Sequence, residues 1–443
     1  MIDFKLLIDK ALKLGFEDIE IIEKSKKSLE ISLFDSKVDQ NVLSSNNSIS
    51  VRALYNEKMV NMNIENFDID IDEVLNKLKN NALSIDSEEK NEIFAGSKEY
   101  PTVEKNTFDF NTIDTSKKIE FLLELERKVK ELDSRVVKVS DCAYEETESK
   151  SHFINSKGLD IIKENKYCVA VVGVVATENG DVQNEYEFVA KKTFDELNVE
   201  EIAKKAVEKT IAKFNAKPVK TDKYKVIMQN NAMSSLLGAF HSTFTGMAAM
   251  RKITPFLNKE NEQIMSSKIT IMDNPLLSDA IVKHPFDDEG VACYSKEVVK
   301  NGVLKTLLHN LKTAKFFNTT STGNGFSGAR GITTSGCNFY IEKGLKSKEE
   351  LIKSLDKGLL ITSLEGLHSG VDAISGNFSV KASGFYIENG EIVRAVTLIV
   401  ISGNFIEMMN DVLEVGNDLE VTTRSVFAPS ILFNDLSNGY ILH

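Results

Sequence analysis

Hydrophobic and polar positions recur with two different periods along this chain, and each period marks a kind of element. Near the amino end, apolar residues repeat at helical spacing over residues 4–14 and stop at Gly15. A residue that takes φ > 0 without strain closes a helix there. Period two follows. Leu29, Ile31 and Leu33 share one face, and Ile49, Val51 and Ala53 share another, as half-buried antiparallel strands require. Residues 70–83 return to helical spacing, and polar residues 88–111, which hold Pro101, read as a connector. A second series then begins with a helix over Thr115–Leu132, followed by strands over 136–145, 151–155 and 160–176. Asn179-Gly180 predicts a tight turn, because both residues tolerate φ > 0. A helix over 199–214 follows, capped by Asn198 with Glu201 three residues on.

Residues 213–225 are basic and polar and hold Pro218. They form the clearest boundary, dividing an N-terminal domain, 1–217 (sub-segments of about 1–100 and 112–217), from a C-terminal domain, 218–443. Beyond the boundary the pattern predicts a strand at 225–228, a helix at 232–240, and strands at 268–272, 298–304 and 331–341. A helix-like stretch covers 304–317. A helix over 347–357 carries Ser347 and Glu350 as a capping box, with Gly358 behind it. Strands at 359–363, 378–388 and 392–401 follow, the last two joined by Asn389-Gly390. No repeat of fixed short period is visible. The fold class is α+β: a mixed N-terminal domain of antiparallel strands and helices, then a β-rich C-terminal domain.

Composition narrows the function. The chain has 443 residues, 42% hydrophobic and 27% charged, enough apolar material for a sizeable core. Net charge is −12, and the basic residues, only seven of them Arg, are scattered. General nucleic-acid binding is therefore not expected. The longest apolar run, residues 168–176, falls far short of the ~20 residues a membrane helix needs. Residues 1–10 show no secretory pattern, and the four Cys (142, 168, 293, 337) form no C-x-x-C pair. A reduced, cytoplasmic protein is the expectation.

Candidate chemistry is sparse. Gly323, Gly325 and Gly328 complete a G-x-G-x-x-G, but no strand leads in and no helix leads out, as a dinucleotide site demands. They read as a Gly-rich surface or cleft loop. His284 precedes Asp287-Asp288-Glu289-Gly290. These residues suit a divalent metal or a turn whose carboxylates satisfy backbone N–H groups. The six His, at 152, 241, 284, 309, 368 and 443, are not paired at ligand spacing. H-E-x-x-H, G-x-S-x-G and P-loop signatures are absent.

An ordered set of blocks carries more than any one of them. These are Asp287-Asp288-Glu289-Gly290, residues 298–308, Thr322-Gly323-Asn324, Ser375-Gly376-Asn377-Phe378-Ser379, residues 383–390 and Ile401-Ser402-Gly403-Asn404. In order and spacing the set resembles the TldD/PmbA family, once described as modulators of DNA gyrase and regarded as subunits of a zinc metallopeptidase. In the TldD branch a helix carries H-E-x-x-x-H, whose two His hold zinc and whose Glu is the general base, and a Cys near the C-terminus adds a ligand. Here the corresponding positions are Gly238, Ala239 and Thr243, and no Cys follows Asn404. The resemblance therefore implies the PmbA/TldE branch: no cofactor in this chain, zinc in a TldD-like partner subunit, and an unfolded peptide as substrate. It implies a peptide cavity with His284, Asp287, Asp288, Glu289, Gly290, Gly323, Asn324, Gly325, Ser375 and Asn377 as candidate lining, and self-association when the partner is absent. Two alternatives stand beside it. One is a stand-alone metallohydrolase using His284, Asp287, Asp288 and Glu289; the other is a regulatory binding protein.

Overall fold

A computed structural model describes residues 2–64, 68–84, 92–328 and 331–440, with backbone alone for Leu398 and residues 435–440. Positions 88–91 of the expected connector, Ala329 of the Gly-rich stretch and His443 lie outside the described residues.

Helix α1 (Phe4–Lys13) begins where Asp3 accepts the Leu6 amide at 3.0 Å and ends at Gly15, φ 89°. It is followed by β1 (Asp18–Phe34), β2 (Lys37–Tyr55), β3 (Lys58–Ile64) and α2 (Ile71–Ser84). The same order then returns as α3 (Thr115–Leu132), β4 (Val136–Asn155), β5 (Asp160–Glu178), β6 (Asp181–Lys191) and α4 (Val199–Ile211). The two triplets join through antiparallel pairing of β1 with β4, giving one six-stranded sheet ordered β3-β2-β1-β4-β5-β6. All four helices cover one face. Helices α1 and α2 pack on Ile19, Ile21, Ile49 and Val51, while α3 and α4 pack on Leu29, Ile31, Ala170, Val172 and Val174. The opposite face is mostly Ser, Thr, Asn and charged residues over β1 and β2, but it carries Ile22, Phe153, Ile161, Val169, Val171 and Phe188 across β1, β4, β5 and β6.

The strands are longer than the sequence pattern predicts. β4 is one strand of 20 residues, not two. Its middle, Glu146–Lys150, is polar on both faces, so period two disappears. Cross-strand charges support it instead: Lys26–Glu145 at 3.7 Å, Lys166–Glu148 at 3.5 Å and Lys150–Glu164 at 4.0 Å. Asn179 and Gly180, at φ 51° and 86°, make the tight turn into β6.

A second sheet system opens at β7 (Lys223–Met228) and α5 (Asn230–Phe240). β7 pairs in parallel with Lys357–Glu365 and antiparallel with Ile431–Tyr440. Asn377–Glu388 and Glu391–Asn404 extend the sheet, and Glu391–Asn404 pairs back onto Ile431–Tyr440. The result is a closed five-stranded barrel filled by Val226, Met228, Leu359, Ile361, Val380 and Phe433, and closure removes the sheet edge. Asn389 and Gly390 form the predicted hairpin at φ 51° and 76°. Beside the barrel lies a five-stranded sheet that includes Ile271–Asp273, Lys296–Lys300 and Phe339–Ile341.

Several elements in this half differ from expectation. The Ser347/Glu350 capping box is present, but the helix is only Lys348–Lys353. Gly358 does not end it. It sits in the strand Lys357–Glu365, where a Cβ would lie 2.7 Å from the Lys225 carbonyl, so Gly is needed for strand packing. The 304–317 stretch is helical only over Leu311–Phe316. The 331–341 strand is two strands, Gly331–Thr334 and Phe339–Ile341. The G-x-G-x-x-G becomes one arm of a hairpin, Gly325–Gly328 against Gly331–Thr334.

Candidate functional site

Eight of the ten candidate residues meet at one place, where the loop after Pro285 inserts against the helix-free side of the N-terminal sheet. Asp287 is fully buried. Its Oδ1 accepts the backbone amides of Glu289 and Val291, each at 2.9 Å, and its Oδ2 accepts the Gly325 amide at 2.8 Å. The Asp288 amide returns a bond to the Gly325 carbonyl at 2.8 Å, and the Ser327 amide reaches Asp288 Oδ2 at 3.0 Å. Two segments distant in sequence are thus zipped together. Gly325 permits this approach, since a Cβ would sit 2.4 Å from Glu289 Oε2. Gly323, at φ 69°, would bring a Cβ 2.7 Å from the Ala292 carbonyl. Gly290, at φ 81°, offers its carbonyl to the Tyr100 hydroxyl at 2.7 Å.

The N-terminal sheet supplies the countercharge. Lys163 on β5 donates to Asp288 Oδ1 at 2.9 Å and to the Phe286 carbonyl at 3.2 Å, with its ammonium 5.0 Å from the Phe286 ring centre. Lys24 on β1 stands 3.7 Å from Asp288 Oδ2. Burial alone would raise the Asp288 pKa, but Lys163, Lys24 and the Ser327 contact outweigh it, and the carboxyl is held well below its usual range. The neighbours behave oppositely. Burial pushes Asp287 to about 6 against three amide bonds. Glu289 rises to about 7, mainly by burial, with the Leu311 amide opposing and Asp287 adding. Burial, reinforced by Lys163, lowers His284 to about 3, so its ring is neutral at pH 7. Its Nδ1 is buried without a hydrogen-bond partner among the described residues, and its ring meets Phe326 edge-on at 5.3 Å.

Asn324, also fully buried, extends the cluster inward. It accepts from Lys296 Nζ at 3.1 Å and from the Thr322 hydroxyl at 2.7 Å, and it donates to Asp273 Oδ2 at 2.8 Å. Lys296 and Asp273 form a buried ion pair at 2.8 Å. The pattern of the sequence does not single out Lys163, Lys296 or Asp273. Their partners lie far away in the chain, and nothing in local spacing links them. A separate buried set, also unforeseen, joins Lys118, Glu146 and Tyr144: Lys118–Glu146 at 2.7 Å, with the Tyr144 hydroxyl 2.8 Å from Glu146. It borders a cavity of about 330 Å³ between β1 and the start of α3.

Ser375 and Asn377 are not part of the cluster. They lie in the turn before Asn377–Glu388, where Asn404 Nδ2 bridges the Ser375 carbonyl and Asn377 Oδ1 at 2.9 and 3.0 Å. Asn404 Oδ1 caps Phe405–Asn410. Among the described residues no hydrogen bond links this turn to positions 284–325.

The carboxylates at 287–289 face backbone amides and Lys163, the geometry of an ordered turn. No group of three or more His, Cys, Asp or Glu able to hold a metal ion occurs among the described residues. The expected zinc-motif helix ends at Phe240, with Thr243 in the 3-10 turn His241–Phe244 behind α5, and the donor set there does not suit zinc either. Gly238 and Ala239 offer no ligating side-chain atom, and the buried Thr243 hydroxyl donates to the Phe240 carbonyl at 2.6 Å. His241 Nε2 accepts the Gly336 amide at 2.9 Å. The four cysteines are free and buried, with Cys142 and Cys168 pushed up to about 12 by burial. No described helix is long and apolar enough to cross a membrane.

The profile of the PmbA/TldA metallopeptidase central domain matches residues 108–214, and that of the C-terminal domain matches residues 221–439. Metalloprotease PmbA of Escherichia coli O157:H7 is 31% identical over 264 residues, which cover 59% of this chain and 56% of that protein. A metalloprotease PmbA homolog of Buchnera aphidicola subsp. Acyrthosiphon pisum is 26% identical over 428 residues, 94% of this chain and 92% of that one. Among solved structures, a Thermotoga maritima protein described as a candidate modulator of a DNA gyrase superposes with a TM-score of 0.90 at 31% identity, covering 98% of this chain and 99% of that one. TldE from Thermococcus kodakarensis superposes with a TM-score of 0.87 at 25% identity, covering 98% and 99%.

Proposed function

The chain belongs to the PmbA/TldD family, and from that premise we propose that it is a TldE-type subunit of a two-component metallopeptidase acting on unfolded peptides in the cytoplasm. The observation that carries this reading is the end of α5 and the turn behind it. Where the zinc-binding branch would present two imidazoles and a carboxylate, this chain presents Gly238, Ala239 and Thr243. A TldD-type partner would supply the metal, and with it the polarised peptide carbonyl and activated water of such hydrolysis.

This chain's own contribution is shape and charge. The helix-free face of the N-terminal sheet and the 284–290 loop form one wall, because Lys163 and Lys24 of the sheet hold Asp288, while Asp287 fastens the same loop to Gly325. A wall whose charges are already paired with one another suits an extended peptide held through its backbone, since it makes no demand on side-chain identity. The His284 ring is neutral at pH 7, and the Asp288 carboxylate is balanced there by Lys163 and Lys24.

The test is reconstitution. The purified chain, a TldD-type chain and their mixture are each assayed for cleavage of an unfolded peptide and for bound metal. Cleavage by the pair, with the metal on the partner, is expected. Stoichiometric zinc and full activity in this chain alone would overturn the reading, as would full activity in a partner lacking it.

A further inference from the structure

Elsewhere on the helix-free face of the N-terminal sheet lies a hollow of about 320 Å³. Strand register explains it. One row across the sheet reads Ser32, Ala143, Val171, Phe188, and the next reads Glu30, Glu145, Val169, Ala190. The small side chains at 143 and 190 leave a dip between larger ones, and Tyr167, two residues before Val169 on β5, also lines it. So does Thr423, which places the hollow where the two halves of the chain face each other. Its floor is apolar: Val169 is buried, and Phe188 is 38% exposed. Its other side is acidic. Glu30 and Glu145 are direct cross-strand partners on one face, an arrangement that costs stability because like charges meet. Lys26 stands 3.7 Å from Glu145, while Glu30 has no ion pair among the described residues.

We propose that this hollow is a subsite for one basic side chain, Arg or Lys, of an unfolded peptide. The aliphatic stem lies over Val169 and Ala143, as long basic side chains lie on apolar surface elsewhere. The charged end reaches Glu145 and Glu30, which stand one and two strands from Val169. At the ordinary strand spacing that is roughly 5–10 Å, within reach of an extended Arg or Lys. A cation at this point relieves the repulsion between the two carboxylates, which a neutral or acidic side chain cannot do. Arg is favoured over Lys, because its planar fork can meet two carboxylates at once. The charges of the 284–290 wall are paired with one another, so the hollow is the place on this face that discriminates between side chains. The inference rests on the peptide-binding reading above and adds to it a preference for basic residues.

Direct binding, rather than cleavage, is the test. Fluorescently labelled unfolded peptides of Gly, Ser and Ala, identical except for a central Arg, norleucine or Glu, are titrated with the full chain at pH 7, alone and mixed with a TldD-type chain. The Arg peptide is expected to bind about tenfold more tightly than the other two. Glu30→Gln/Glu145→Gln is expected to remove that advantage, leave the norleucine peptide unchanged, and melt no lower than wild type, since it removes a repulsion. Ala143→Leu fills the hollow, keeps both carboxylates, and is expected to remove the advantage too. Glu120→Gln/Glu131→Gln, at exposed positions of α3 on the opposite face, changes the net charge equally and is expected to leave the preference intact. Equal affinity for the three peptides, or an Arg preference that survives the hollow variants or falls equally in the α3 variant, would overturn the inference and leave the peptide-binding reading standing. Binding of none of the peptides, with or without the TldD-type chain, would overturn both.

Discussion

Replacing Asp287 by alanine removes the one acceptor shared by three buried amides, those of Glu289, Val291 and Gly325. Each amide left unpaired costs about 1–3 kcal/mol. Two effects reduce the sum: water entering the space left by the carboxylate, and release from the cost of burying that group. A net loss of about 3–5 kcal/mol is expected, the range for breaking a buried charged network. Asparagine separates the contributions. Its Oδ1 can keep the Glu289 and Val291 amides, but its NH2 then meets the Gly325 amide, donor against donor, where 2.8 Å now separates donor from acceptor. That costs about 1–3 kcal/mol. Urea unfolding gives the ranking wild type, Asn, Ala. Amide hydrogen exchange shows whether 286–291 and 324–327 lose protection together, as a clasp between two segments requires. An alanine variant within 1 kcal/mol of wild type, or exchange confined to one segment, would refute the reasoning.

Three further outcomes are expected. Glu289 binds its proton more tightly folded (about 7) than at its ordinary value of 4.5, so its contribution to stability is full below about 4.5 and lost as pH rises through about 7. Glu289→Gln therefore flattens the stability–pH curve over that window and gains up to about 3 kcal/mol on wild type at pH 8, at ~1.36 kcal/mol per unit, with Asp287 leaving a residual slope of the same sign; an unchanged curve from thermal melts would count against it. Gly325→Ala drives a Cβ into the Glu289 carboxyl, which flexes away and releases the Leu311 amide, so a loss of about 1–3 kcal/mol in thermal unfolding is expected. Lys163→Met leaves Asp288 with the more distant Lys24, costing about 2–4 kcal/mol, and adding Asp288→Leu recovers part of it; strict additivity in the double-mutant cycle would show the pair to be uncoupled.

The sequence pattern is most informative where one period acts alone. α1, α4 and the two Asn-Gly hairpins are legible because apolar spacing, caps and φ > 0 residues point the same way. β4 is not, because its middle is stabilised by charges on neighbouring strands, and one strand's residues do not announce their partners. The barrel is equally hidden, since β7 finds its neighbours only at 358–361 and 431–437. At the candidate site, the 284–290 and 323–325 blocks are visible as chemistry-bearing runs and do converge. Ser375 and Asn377 look similar in sequence yet serve a turn elsewhere, because Ser and Asn satisfy local backbone wherever a chain bends. Lys163, Lys296 and Asp273 escape notice because a buried ion pair is a relation between positions, not a property of either.

The way β7 is paired bears on how the protein is made. The N-terminal sheet grows from successive hairpins and one β1–β4 seam, so it can assemble while synthesis continues. β7 cannot. It emerges next, apolar at Val226, Ile227 and Met228, and stays bare on both sides until the ribosome has added the strands at 357–365 and then 431–440. Over that interval the nascent chain carries a sticky, unpaired ribbon beside a finished domain. That is the state in which chaperones bind or chains misassociate, and for this chain it lasts until residues 431–437 have been made.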